Sequence, residues 1–166
     1  MNYKTLYLVR HAKSSWDDAT LSDHQRPLNQ RGLNNAPEMA ARLKDSNTNI
    51  DQIICSTANR ARTTAQLLAE GINYNANDIK QDDQLYFGGI HSMIDIINNT
   101  PASIGSLMLV GHNPDMTSLF NHLCGNQTYN MPTCAIGIIR FDGDWDDVSK
   151  NSGKVLEYDY PKRGLK

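Results

Sequence analysis

The chain has 166 residues, 39% of them hydrophobic, enough for one domain spanning 1–166 around one core. A formal charge of −2 excludes bulk electrostatic attraction to nucleic acid or anionic lipid, and no apolar run approaches the roughly 20 residues of a membrane span. The chain enters its first strand pattern without a signal peptide, and its three cysteines, Cys55, Cys124 and Cys134, lack CxxC spacing, so a reduced cytoplasmic protein with no disulfide framework is expected.

Residues 5–9 are a short apolar run that reads as a buried strand. Residues 31–44 read as a helix with Ala36, Met39, Ala40 and Leu43 on one face. Strand 51–55 follows, then helix 58–70, expected to stop at Gly71. Residues 79–81 form a weak strand. A helix over 92–98 ends before Pro101. Residues 106–110 are a buried strand. Helix 114–123 has Pro114 suited to its first turn and Gly125 beyond its end. Residues 135–141 and 153–160 read as late strands, joined as a hairpin across 142–151. This alternation predicts an α/β fold of three layers, α/β/α, on a mainly parallel central sheet, with the late pair as an antiparallel edge.

Polar constellations sit at three strand ends: Arg10-His11, the segment from Cys55 to Thr64, and Gly111-His112-Asn113. In an open α/β sheet, ligands bind in the crevice at the carboxyl ends of the strands. Two histidines and at least two arginines would converge there, with helix N-termini adding donors for an anion. A neutral histidine with one nitrogen held by a backbone acceptor can attack through the other. Arginine clasps the non-bridging oxygens of a phosphoryl group as a fork. The second histidine can donate to the same oxygens. Phosphoryl transfer is the chemistry these residue types serve.

Arg10-His11, Arg60 and His112 resemble the signature of the histidine phosphatase superfamily, the phosphoglycerate-mutase-like fold. The stretch from Arg10 to Trp16 and the stretch from Asp23 to Gly32 look like its SixA-type branch of phosphohistidine phosphatases. The segment from Ser56 to Thr64 is similar to the family's second-arginine segment, and the one from Val110 to Pro114 to its second-histidine segment. The resemblance implies His11 as nucleophile through a transient phosphohistidine, with Arg10, Arg60 and His112 completing the phosphate pocket. It implies neither a metal nor an organic cofactor. It also implies a phosphorylated protein as partner, of the kind of a histidine-containing phosphotransfer domain. The oligomeric state is left unspecified. Arg26 resembles a basic residue that some SixA-type proteins carry near the pocket.

Two departures stand out. Ala12 replaces the glycine of the usual Arg-His-Gly, which the turn tolerates if φ stays negative. The proton-donating glutamate of phosphoglycerate mutases and many phosphomonoesterases has no counterpart: Phe87 stands at the comparable place, and no glutamate occurs between Glu70 and Glu157. An alkoxide leaving group needs that proton, worth about 10²–10⁴-fold, whereas imidazole leaving a phosphoramidate needs it less. Phosphohistidine is therefore favoured over a phosphate ester, with Asp82 or Asp83 open as substitute acids.

Alternatives accompany several residues. Arg62 shares the first helical turns with Arg60, although spacing from Ser56 favours Arg60. Ser14 belongs to a loop rim, from which a serine can bond phosphate. Trp16 reads equally as a packed loop anchor or a contact to a protein substrate. Gly111 suits close backbone approach to a phosphate. His24, His91 and His122 read as surface or capping residues, and the histidines show no metal-ligand spacing. Cys55 fits a buried strand end, because four residues separate it from Arg60 and six from Arg62 where a cysteine phosphatase has five.

Overall fold

The computed structural model describes residues 2–164, so the two ends of the expected 1–166 unit lie outside the described residues. One six-stranded sheet organises the chain: β1 (Tyr3–Arg10), β2 (Gln52–Cys55), β3 (Lys80–Gln81), β4 (Ser106–Gly111), β5 (Ile136–Asp142) and β6 (Lys154–Asp159). Their order across the sheet is β3-β2-β4-β1-β5-β6. The first four run parallel, and β5 is antiparallel to both β1 and β6. The hairpin is therefore an extension of the sheet alongside β1, with only β6 at the edge.

Helix placement follows from crossover handedness. The connections through α1 (Gln30–Asp45) and α2 (Asn59–Gly71) step the same way across the sheet, while α3 (Ile90–Asn98) carries the chain back to insert β4 between β2 and β1. Right-handed crossovers travelling in opposite directions put their helices on opposite faces. Accordingly α1 and α2 bury Ala36, Met39, Leu43 and Leu68 with Tyr7 and Val9 of β1 on one side. On the other, α3 and α4 (Asp115–Cys124) bury Met93, Ile97, Leu119 and Phe120 with Leu6 and Leu8. Successive residues of β1 thus feed alternate cores, and β4 is buried at every position, as expected of a strand covered on both faces.

Two glycines depart from their expected or ordinary roles. Gly71 lies inside α2, where an added Cβ would come within 2.3 Å of the Ala40 Cβ, so it permits the α1–α2 crossing. The left-handed residue beyond that helix is Asn73, at φ 62°. Gly32, in the first turn of α1, would place a Cβ 2.3 Å from the Lys13 carbonyl oxygen. Its lack of a side chain lets the helix start press against the 11–29 connection, which is further pinned by Asn29 N–H donating to Lys13 O and by a Ser14–Leu28 bridge.

Candidate active site

The register aligns Arg10 with Gly111 and Cys55 with Val110, so β1, β4 and β2 end side by side. Backbone bonds continue past those ends: His11 N–H donates to Gly111 O at 3.0 Å and Ser56 N–H to Val110 O at 2.9 Å. The residue after each strand is thereby delivered to one point. A cavity of about 250 Å³ opens there, lined in part by Arg10, His11, Arg60 and His112.

The His11 Nδ1 lies 2.7 Å from the Ala12 carbonyl oxygen. A carbonyl only accepts, so Nδ1 carries the proton and Nε2 keeps its lone pair. Ala12 is fixed in turn by donating its N–H to Thr64 Oγ1 at 3.0 Å, and that hydroxyl donates to Arg60 O at 2.8 Å. Its φ is negative, so alanine serves where the family has glycine. Burial, joined by Arg60, Arg10 and Arg26, pushes the His11 pKa down to about 4 against the opposing pull of the Ala12 carbonyl. At neutral pH the ring is neutral, the form able to act as a nucleophile.

The His112 ring lies 5.0 Å from that of His11, with its Nε2 2.8 Å from Ser56 Oγ. The serine oxygen also accepts the Ala58 N–H at 3.2 Å and retains a proton to give. If Ser56 donates to Nε2, the proton of neutral His112 sits on Nδ1, a buried atom without a protein partner. Burial, then His11 and Arg60, push its pKa down to about 3. Phe87 stacks on the ring at 4.8 Å and Tyr86 meets it edge-on at 5.4 Å.

The arginines complete the cradle. Arg10 Nη1 donates to Met131 O at 2.8 Å, leaving its buried Nε unpartnered. Arg60, 3% exposed, places Nε 3.4 Å from His11 Nε2. Arg26 is also buried and lines the cavity. It donates to Ser15 O, to Asp23 Oδ1 and, at 2.5 Å, to Ser14 Oγ, while the exposed Trp16 ring covers its guanidinium at 3.3 Å. Ser14 reaches the cavity with its oxygen occupied by Arg26 and its own proton available.

A model of the "Histidine phosphatase superfamily (branch 1)" matches residues 6–88. The chain belongs to this superfamily. An uncharacterized protein of Mycobacterium tuberculosis is 30% identical, over 93% of this chain and all of its own. Among solved structures, the protein histidine phosphatase SixA complexed with tungstate superposes with a TM-score of 0.83 at 23% identity, covering 96% of this chain and 98% of that one. Phosphoglycerate mutase from Bacillus anthracis superposes at 0.73 and 16% identity, covering 94% and 92%. The fold of this histidine phosphatase is therefore phosphoglycerate-mutase-like.

Several expectations for this member of the superfamily are sharpened or corrected. Arg60 lines the cavity and Arg62 does not. Burial raises the Cys55 thiol to about 11, which suits a strand end and not a thiolate. Neither substitute acid lines the cavity: Asp82 caps the Gln84 N–H, and Asp83 accepts from the Thr57 hydroxyl. A Cβ on Gly111 would meet Met116 Sδ at 3.1 Å, so packing also favours a small residue there. Sequence reasoning missed Thr64 and Tyr86 as supports and Asp23 as the carboxylate lining the cavity. The Ser22–Gln25 capping box was readable as a turn signal and would have directed attention to Asp23.

Proposed function

We propose that this chain is a metal-independent phosphatase that acts on phosphohistidine in proteins through a covalent intermediate on His11. The observation that carries the reading is the His11 ring itself: neutral, protonated on Nδ1 toward Ala12 O, with the Nε2 lone pair turned into the cavity, where its one contact is a long 3.4 Å bond from Arg60 Nε. Nε2 attacks phosphorus, the P–N bond of the substrate breaks, and the leaving imidazole departs neutral when its other nitrogen is protonated. The phosphorylated His11 ring is then an imidazolium whose Nδ1–H the Ala12 carbonyl stabilises. Water attacks phosphorus, releases a proton to solvent and expels His11 neutral. The oxygens of the group in transfer are held by Arg10, Arg60 and a His112 N–H, and catalysis is largely this preorganised placement.

The lack of a protonated carboxyl group among the described residues lining the cavity supports a nitrogen leaving group over an oxygen one. Asp23 is the carboxylate at the cavity, and Tyr86, Arg60 and Arg26 hold it well below the usual carboxylate range despite the opposing effect of burial. It is ionised and has no proton to give. The exposed Trp16 and half-exposed Phe87 flank the opening and suit contact with a protein surface, such as a histidine-containing phosphotransfer domain.

Phosphate release from a phosphohistidine peptide and a matched phosphoserine peptide, in EDTA, tests the reading. Strong preference for phosphohistidine, lost in His11→Ala, is expected. Preference for phosphoserine would move the chain to phosphomonoester substrates, and loss of activity in EDTA would refute metal independence.

A further inference from the structure

The Asp23 carboxylate makes the contacts a phosphoryl group would seek. Its Oδ1 accepts from Arg26 Nη1 at 3.0 Å; its Oδ2 accepts from Arg60 Nη2 at 3.0 Å and from the Tyr86 hydroxyl at 2.6 Å. One anion thus bridges two buried guanidinium groups and a phenol at the mouth of the cavity. Arg60 also has an anchor other than this carboxylate. The Asp23 backbone carbonyl accepts from Arg60 Nη1 at 2.6 Å, and this contact does not depend on the side chain. The short 3-10 turn Asp23–Gln25 is fastened independently, by Asn59 donating to Gln25 O and by the His24–Thr57 bond. With 45% of its side chain exposed, the carboxylate has solvent beside it into which it can swing.

We propose that Asp23 is an internal competitor of the phosphoryl group, a built-in anion that weakens the pocket's hold on phosphate, the free phosphate product included. The inference rests on the phosphate-pocket reading above. An incoming dianion must displace the carboxylate from Arg26 and Arg60 or accept a like charge beside it, and either lowers its net affinity. A phosphoprotein can offset that loss with contacts made outside the cavity, for example to Trp16. Inorganic phosphate has no such contacts.

Calorimetric titration of inorganic phosphate and of tungstate into wild type, Asp23→Asn, Asp23→Ala and Arg60→Ala separates the possibilities. Both Asp23 variants should bind the anions about fivefold to tenfold more tightly than wild type, the scale expected of removing one partly screened like charge. Phosphate should become a correspondingly stronger inhibitor of turnover. Arg60→Ala should bind far more weakly. If wild type binds and Arg60→Ala does not, but both Asp23 variants bind no more tightly than wild type, the competitor role is overturned while the phosphate pocket stands. Asp23 would then be a support that orients the arginines. If Arg60→Ala binds as well as wild type, or no protein binds, the pocket reading falls and this inference with it. Using Asn and Ala together separates charge from shape, and the exposed loop position of Asp23 keeps either change clear of both cores.

Discussion

Two regions build this site by different means. The strand-end region, carrying Arg10, His11, Ser56 and His112, is positioned by backbone register between strands buried on both faces. The 11–29 connection, carrying Ser14, Trp16, Asp23 and Arg26, is positioned by side chains binding one another: Arg26 alone ties Ser14, Ser15, Asp23 and Trp16 together. In the proposed reaction the first region supplies the reacting atoms on a rigid frame. The second is a polar clasp whose shape depends on ion pairs, so it can change contacts at modest cost. On the proposed reading, precise chemistry sits on the sheet and adjustable affinity on the loop.

Substitutions should divide along the same line. His11→Ala should lower turnover by at least about a thousandfold with melting temperature nearly unchanged, since only the nucleophile is lost. His112→Ala should leave measurable activity. Equal, near-normal rates in both would break the assignment of roles. Arg26→Lys should cost about tenfold in kcat/KM, because lysine cannot bridge Ser14, Ser15 and Asp23 at once or stack under Trp16. Steady-state kinetics check this, and an unchanged kcat/KM would mean that the clasp is passive.

The smallest effect is a separation in pH. Unfolded histidines titrate near 6.5, while folded His11 and His112 do so at about 4 and 3. Between those values the unfolded chain binds more protons, so stability falls as pH drops from about 6.5 toward 4. Asp23 is held ionised, so the stability it adds is present above the usual carboxylate pKa of about 3.9 and is lost as pH falls below it. Melting temperature measured against pH should therefore show a strand-end window from about pH 6.5 down to about 3, made shallower in His112→Ala. A loop window below about pH 4 should be flattened in Asp23→Asn. One unchanged curve for all three proteins would show that the two regions are not energetically distinct.

Much of the fold was readable because its signals are local. Apolar runs as strong as residues 106–110 form strands with little ambiguity, and Ala36, Met39, Ala40 and Leu43 all turned inward at helical spacing as expected. The boundaries moved by one or two residues, and the weak strand shrank to Lys80–Gln81 at the sheet edge, where little packing defines it. The place of β5 beside β1 was not readable, because strand pairing depends on which edges the crossovers leave open.

The sequence by itself determined which residues stand at the strand ends, and with them the histidine pair, Arg10 and the absence of a nearby glutamate, because each follows from chain order and side-chain chemistry. Spacing from Ser56 already favoured Arg60 over Arg62, but only the tertiary structure decided that Asp82 and Asp83 stay outside the cavity and that Asp23 lies across two arginines. Those choices depend on the rotation of α2 against the sheet and on contacts between residues as far apart as Asp23 and Tyr86. No local spacing encodes such distances; packing the two helices of one face against β1 sets them.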